Sequence, residues 1–269
     1  MLLMLGSCFI ASGVRREESH FNETVASMTS TLLAIAAAYL VIPTALGVAL
    51  ADSYDSTPNL LVFSRAVSLI MLDLYCLYLF FRLKTHARLF NIASQDEIEA
   101  VEERQHISRK VVLILMACVA FWIVICATYL VGSIDALVVD RGFSKTFMGL
   151  ILLPLLVIPE HVTTCAVAYQ DSTGLAVDVA IGGCIQVVLF VAPSLVLMGW
   201  ILGIPMSLDF GSYDAGAFFF SVLIVNYLIR YAKSNYLEGC VLLATWLIIA
   251  IAFYQYPLDR MGNLAVFSP

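Results

Sequence analysis

Hydrophobic positions in this chain neither alternate nor recur at every third or fourth place. They run together in blocks of about 20 residues or more, the length a helix needs to cross a hydrocarbon core of about 30 Å. Seven full blocks stand near 25–50, 60–83, 111–131, 146–170, 175–203, 213–232 and 236–256. A shorter apolar stretch, MLLMLGSCFIASGV, precedes them. It lacks the basic start and cleavage site of a signal peptide, so it is expected to be the remaining end of a membrane helix. The pattern predicts an all-α fold, a polytopic transmembrane helical bundle.

The polar connections are short except for Lys84 to Lys110. Within it, QDEIEAVEERQ sets Asp96, Glu97, Glu99, Glu102 and Glu103 at i,i+3 and i,i+4 spacings, which predicts a helix with a negative face. Such a face serves as a solvated linker or as a cation-sensing or docking surface, and no EF-hand pattern decides between them.

Composition agrees with the blocks. The chain is 61% hydrophobic and 13% charged, with a mean hydropathy of +0.94, against about a quarter charged in soluble domains. A pI near 5.1 offers no basic face for a nucleic-acid partner. Cys8, Cys76, Cys118, Cys126, Cys165, Cys184 and Cys240 all lie in apolar stretches without CxxC spacing, and read as buried small hydrophobes rather than metal ligands or disulfides. HExxH, GxSxG and phosphate-binding glycine loops are missing, so no enzyme and no cofactor are expected. The basic residues are unequally shared. One set of alternate loops and helix ends holds Arg15, Arg16, Arg82, Lys84, Arg88, Arg104, Arg109, Lys110, Arg230 and Lys233; the other holds Arg65, Arg141, Lys145 and Arg260. The first set should face the cytosol, which puts the acidic linker there and the C-terminus in a lumen or outside the cell. Asn22-Glu23-Thr24 matches the glycosylation sequon but falls on the cytosolic side of that topology.

Candidate chemistry concentrates in GLILLPLLVIPEHVTTCAVA, Gly149 to Ala168, where Glu160 and His161 adjoin inside an apolar run behind Pro154 and Pro159. A carboxylate at membrane depth costs about 2.5–3.5 kcal/mol on insertion scales unless a cavity, partner or ion compensates it. Prolines free backbone carbonyls, which lipid tolerates only where they line protein or water. A broken helix carrying a carboxylate suits a cation site, because calcium takes six to eight oxygen ligands. Glu160 is thus the candidate metal-binding residue, and His161 a candidate for proton coupling or a histidine bonded inside the bundle. Gln186, in GGCIQ, could orient the carboxylate or add an oxygen. Asp178 lies two turns earlier on the same face, at the cytosolic start of its helix, where contact with water is the plainer reading. Asp73 is an acid within the 60–83 block with no partner legible in the sequence.

Several long stretches resemble the calcium/proton exchanger family of fungal and plant vacuoles. They include YLVGSIDALVVDRGFSKTFMGLILLPLLVIPEHVTTC, AIGGCIQVVLFVAPSLVLMGWILGIPMSLDF, KSNYLEG leading into ATWLIIAIAFYQYP, and, upstream, FNETVASMTSTLLAIAAAYLVIP and SRAVSLIMLDLYCLYLFFRLKTHA. The resemblance implies two inverted repeats joined by a cytosolic acidic helix: 1–83 as the remainder of the first, 84–110 as the linker, 111–256 as the second, and 257–269 as a lumenal tail. It implies transport of calcium across the vacuolar membrane in exchange for protons, with Glu160 as the cation ligand, His161 linked to proton coupling, and Gln186 as the polar residue of the next helix. The sequence departs from the family where the first-repeat motif would precede Met1, and at Gly183 and Cys184, which replace two serines. It departs again at Thr128, which stands where the family has a glutamate. Thr128 and Cys184 are therefore possible accessory positions. Fewer oxygen ligands than calcium needs raise the alternative of a degenerate half-exchanger or assembly subunit, working as a homodimer or with a partner half-exchanger.

Overall fold

The structure is a computed structural model that describes residues 1–14, 19–50, 56–91, 109–141, 148–149, 158–169, 173–230 and 233–255. The described residues form helices α1 (Leu2–Gly13), α2 (Glu23–Leu50), α3 (Ser56–Phe80), α4 (Ala87–Asn91), α5 (Arg109–Arg141), α6 (Ile158–Tyr169), α7 (Thr173–Gln186), α8 (Ala192–Leu202), α9 (Ser212–Ile229) and α10 (Tyr236–Gln255). Two-residue strands β1 (Ser19–His20) and β2 (Lys233–Ser234) pair antiparallel. Among the described residues, six helical stretches are long and apolar enough to cross a membrane: Glu23–Ala49, Asn59–Thr85, Lys110–Ser133, Thr173–Leu202, Ser212–Ile229 and Tyr236–Gln255. These match six of the seven expected blocks. The seventh, 146–170, is described only at 148–149 and over α6, a helix of 12 residues. The five acids of the linker lie outside the described residues.

Helix boundaries follow local chemistry. The Asn22 side chain caps α2, its Oδ1 accepting from Thr24 N–H at 3.1 Å and Val25 N–H at 3.3 Å. Asn235 Oδ1 does the same for Glu238 N–H at 2.9 Å, at the start of α10. The end of α8 is set by Gly203, whose φ of 73° suits a residue without Cβ, while Ile204 N–H closes the turn on Gly199 O at 2.8 Å. Hydroxyls within the apolar helices bond their own backbone, as Thr29 does to Val25 O at 2.8 Å and Ser68 to Ser64 O at 2.7 Å. Pro43 sits inside α2, and Thr44 donates to Leu40 O at 3.2 Å beside it.

The chain divides into two compact units. The first takes in 1–95 and 161–245. There α2 packs along α9 and α7, α3 packs along α8, and α1 lies on α7. Small residues let these helices approach, Ala36 and Ala37 of α2 being fully buried. Ser30 donates to Asn226 Oδ1 at 3.1 Å across the α2–α9 contact. Leu5, Cys8 and Phe9 of α1 are fully buried, so this short helix is a packed element of the bundle. The second unit takes in 96–160 and 246–269, with α5 as its long helix. From 111 to 133 α5 is exposed on every face except at half-buried Ile125, and it is apolar all round, as contact with lipid requires.

Candidate functional site

Helix α6 begins at Ile158, which puts Pro159 in its first turn. A first-turn proline costs the helix nothing, because an N–H there has no intrahelical acceptor. Inside a longer helix the same proline would cost a backbone hydrogen bond. Glu160 and His161 follow directly and therefore stand in the first turn, where the unpaired N–H groups and helix dipole favour an acid.

His161 is half-buried, and its Nδ1 and Nε2 are both buried with no hydrogen-bond partner among the described residues. An unsatisfied buried donor or acceptor costs about 1–3 kcal/mol, so a partner for this imidazole matters to the fold. Downstream on α6, Cys165 and Ala168 pack with Cys8 of α1 and Ala176 of α7 in a small apolar cluster. Both thiols are free.

Helix α7 carries Asp178, Gly182 and Gln186 at i, i+4 and i+8, one stripe along the helix. Gln186 is exposed and is the last α-helical residue before a π-helical turn, Val187–Val191, in which Ala192 N–H reaches back to Val187 O. Pro193, just beyond, has no N–H to give, and the wide turn accommodates that loss. Cys184 is half-buried with a free thiol.

Asp178 is not in open contact with water. Its Oδ2 accepts from Arg82 Nη2 at 2.8 Å, with 14% of the Asp178 side chain exposed and 31% of Arg82. Arg82 belongs to a second π-helical turn, Phe81–Thr85, which continues α3. Its other nitrogen, Nη1, donates to Tyr78 OH at 3.0 Å, and its Cζ stands 5.2 Å from the centre of the Phe90 ring on α4. Beside this group a cavity of about 30 Å³ is lined by Asp178, Asn22, Thr29, Gly174 and Phe90 among others. A larger one of about 240 Å³ lies between α2 and α3, walled by Met28, Leu32, Leu74, Leu77, Phe81 and Phe90.

Two other sequence candidates belong to other helices. Thr128 is exposed on α5, its hydroxyl donating to Val124 O at 2.9 Å. Asp73 is exposed on α3. Among the described residues no three acid, histidine or cysteine side chains converge to hold a metal ion. Arg82 was visible in the sequence only as one basic residue at a helix end. The available signal was Tyr78, one turn before it on the same face.

The family profile described as "Sodium/calcium exchanger protein" matches residues 111–255. A vacuolar calcium ion transporter of Schizosaccharomyces pombe is 41% identical over 258 residues, covering 96% of this chain and 62% of that protein. A Ca(2+)/H(+) antiporter of Aphanothece halophytica is 34% identical, covering 96% of this chain and 71% of that one. The chain thus spans less than two thirds of the Schizosaccharomyces pombe transporter. Among solved structures, that of native YfkE superposes with a TM-score of 0.73 at 25% identity, covering 94% of this chain and 70% of its own; a second YfkE structure is titled a Ca2+/H+ antiporter.

Proposed function

The chain belongs to the sodium/calcium exchanger family, in its calcium/proton exchanger branch, and from that premise we propose that it carries calcium across a membrane in exchange for protons. The observation that carries this reading is the start of α6. A proline-marked helix beginning amid apolar segments presents Glu160 and His161 side by side in its first turn. A carboxylate there alternates between two ligands. Calcium, as a hard cation, takes the ionised form; a proton neutralises the same oxygens and removes the attraction, so one occupant expels the other. The family resemblance supports the Gln186 amide as a further oxygen ligand. His161, with two unpartnered nitrogens, would hold or pass the proton. The vacuolar names of several relatives support a vacuolar membrane site. The uneven basic residues support a cytosolic acidic linker and a lumenal C-terminus. Helices before the linker would form one repeat and those after it the other.

The test is calcium uptake by the purified chain in liposomes under an imposed proton gradient. Uptake should appear with the gradient and vanish with a protonophore; uptake indifferent to the gradient would overturn the exchange reading. His161→Leu separates function from folding. Removing two unsatisfied nitrogens should raise the thermal midpoint, by about 1 kcal/mol or more of stability, while gradient-driven uptake falls. A lower midpoint would mean that the imidazole holds a structural bond.

A further inference from the structure

We infer that Arg82 and Asp178 are positioning residues that clamp the end of α3 onto α7 and so set the rotation of the stripe that ends at Gln186. The inference rests on the exchange reading only in giving Gln186 its task. Three contacts build the clamp. Arg82 Nη2 donates to Asp178 Oδ2 at 2.8 Å, Nη1 donates to Tyr78 OH at 3.0 Å, and the guanidinium lies over the Phe90 ring, 5.2 Å from its centre. The fourth wall is a glycine. A Cβ on Gly182 would stand 3.2 Å from Arg82 Nη1, so the guanidinium runs along α7 from Asp178 to Gly182, a full turn. That turn is one half of the stripe from Asp178 to Gln186.

An arginine fork suits this task better than a point charge. It is planar, keeps its charge, and can bond two acceptors at fixed angles while stacking on a ring. Its backbone is also specialised. His86 N–H reaches Phe81 O at 2.9 Å across the widened turn, and the Thr85 hydroxyl donates to the same carbonyl at 3.2 Å. Gln186 sits at the start of the other π-helical turn, where the wider helix holds its direction less firmly. A helix loosened at one end needs its rotation fixed at the other, and the ion pair supplies that two turns away.

The experiment has two readouts. The first is the alkylation rate of Cys184 by N-ethylmaleimide in detergent, without calcium or gradient, followed by mass spectrometry of the peptide that carries it. Cys184 is half-buried on α7, two residues beyond Gly182, and its exposure depends on the rotation of that helix. Arg82→Gln and Asp178→Asn should each change this rate by about threefold or more, the scale expected within one ion-pair network. Arg82→Lys keeps the charge on Asp178 but cannot also hold Tyr78, and should fall between them and the unaltered chain. The second readout is calcium uptake in liposomes. Both neutral variants should raise the half-saturating calcium concentration by about tenfold while the maximal rate stays within about twofold, because the coordinating groups remain and only their placement relaxes. An unchanged Cys184 rate in both variants overturns the clamp, as does a lost maximal rate with unchanged half-saturation. Altered Cys184 labelling in a chain that shows no gradient-driven uptake upholds the clamp and sinks the exchange reading alone.

Discussion

Glu160→Gln is expected to abolish proton-driven calcium uptake while leaving the chain folded. Glutamine matches glutamate in size and keeps a carbonyl oxygen, so what it removes is the charge. A divalent cation leaving water must be met by negative charge as well as by oxygen atoms, and an amide at membrane depth does not provide it. The folding expectation runs the other way. An ionised carboxylate in an apolar span costs about 2.5–3.5 kcal/mol on insertion scales, so neutralising it should leave the thermal midpoint unchanged or raise it. Uptake in liposomes and unfolding in detergent measure the two halves. Full uptake by Glu160→Gln would remove Glu160 from the site; loss of uptake with a collapsed midpoint would make it a structural acid.

Gly239→Leu should produce the largest loss of stability. Helix α1 crosses α10 in backbone contact. A Cβ on Gly239 would meet Gly6 O at 2.7 Å and both Ile10 N and its Cγ1 at 2.8 Å, while one on Gly6 would meet Gly239 O at 3.1 Å. Backbone atoms cannot swing aside as a side-chain tip can, so a larger residue must push α1 off. Overpacking of this kind costs about 1–3 kcal/mol, and more where, as here, the displaced helix carries fully buried Leu5, Cys8 and Phe9. In lipid the loss is one of close packing rather than of hydrophobic burial, because the tails are as apolar as the side chains they replace. Gly216→Ala is the control. A Cβ there meets nothing within 4 Å, and the better helix propensity of alanine should leave the midpoint level or up by about 1 kcal/mol. An unchanged midpoint in Gly239→Leu would mean that the crossing is absent in solution.

Much of the architecture was legible because lipid acts on the chain locally. A segment that must satisfy every backbone group within itself and face hydrocarbon has to be helical, long and apolar, and those demands show in any window of about 20 residues. Hence six of the expected blocks recur as helices with boundaries shifted by a few residues, even α5, which has no periodic face.

Asp178 shows where local reading stops. Near a helix start it reads as an acid meeting water, yet it is held by Arg82, 96 residues away. Ser30 and Asn226, 196 residues apart, are tied in the same way. The two π-helical turns, the glycine crossing of α1 with α10, and the unpartnered nitrogens of His161 belong to the same class. By itself, then, the sequence determined that the chain forms membrane-spanning helices and where those helices lie, because solvent and backbone impose these through near neighbours. Only the tertiary structure decided which face of each helix meets which, and so which acid is paired and which glycine is indispensable. Those choices depend on contacts between residues far apart in the chain, and the uniformly apolar helices carry no periodic signal of them.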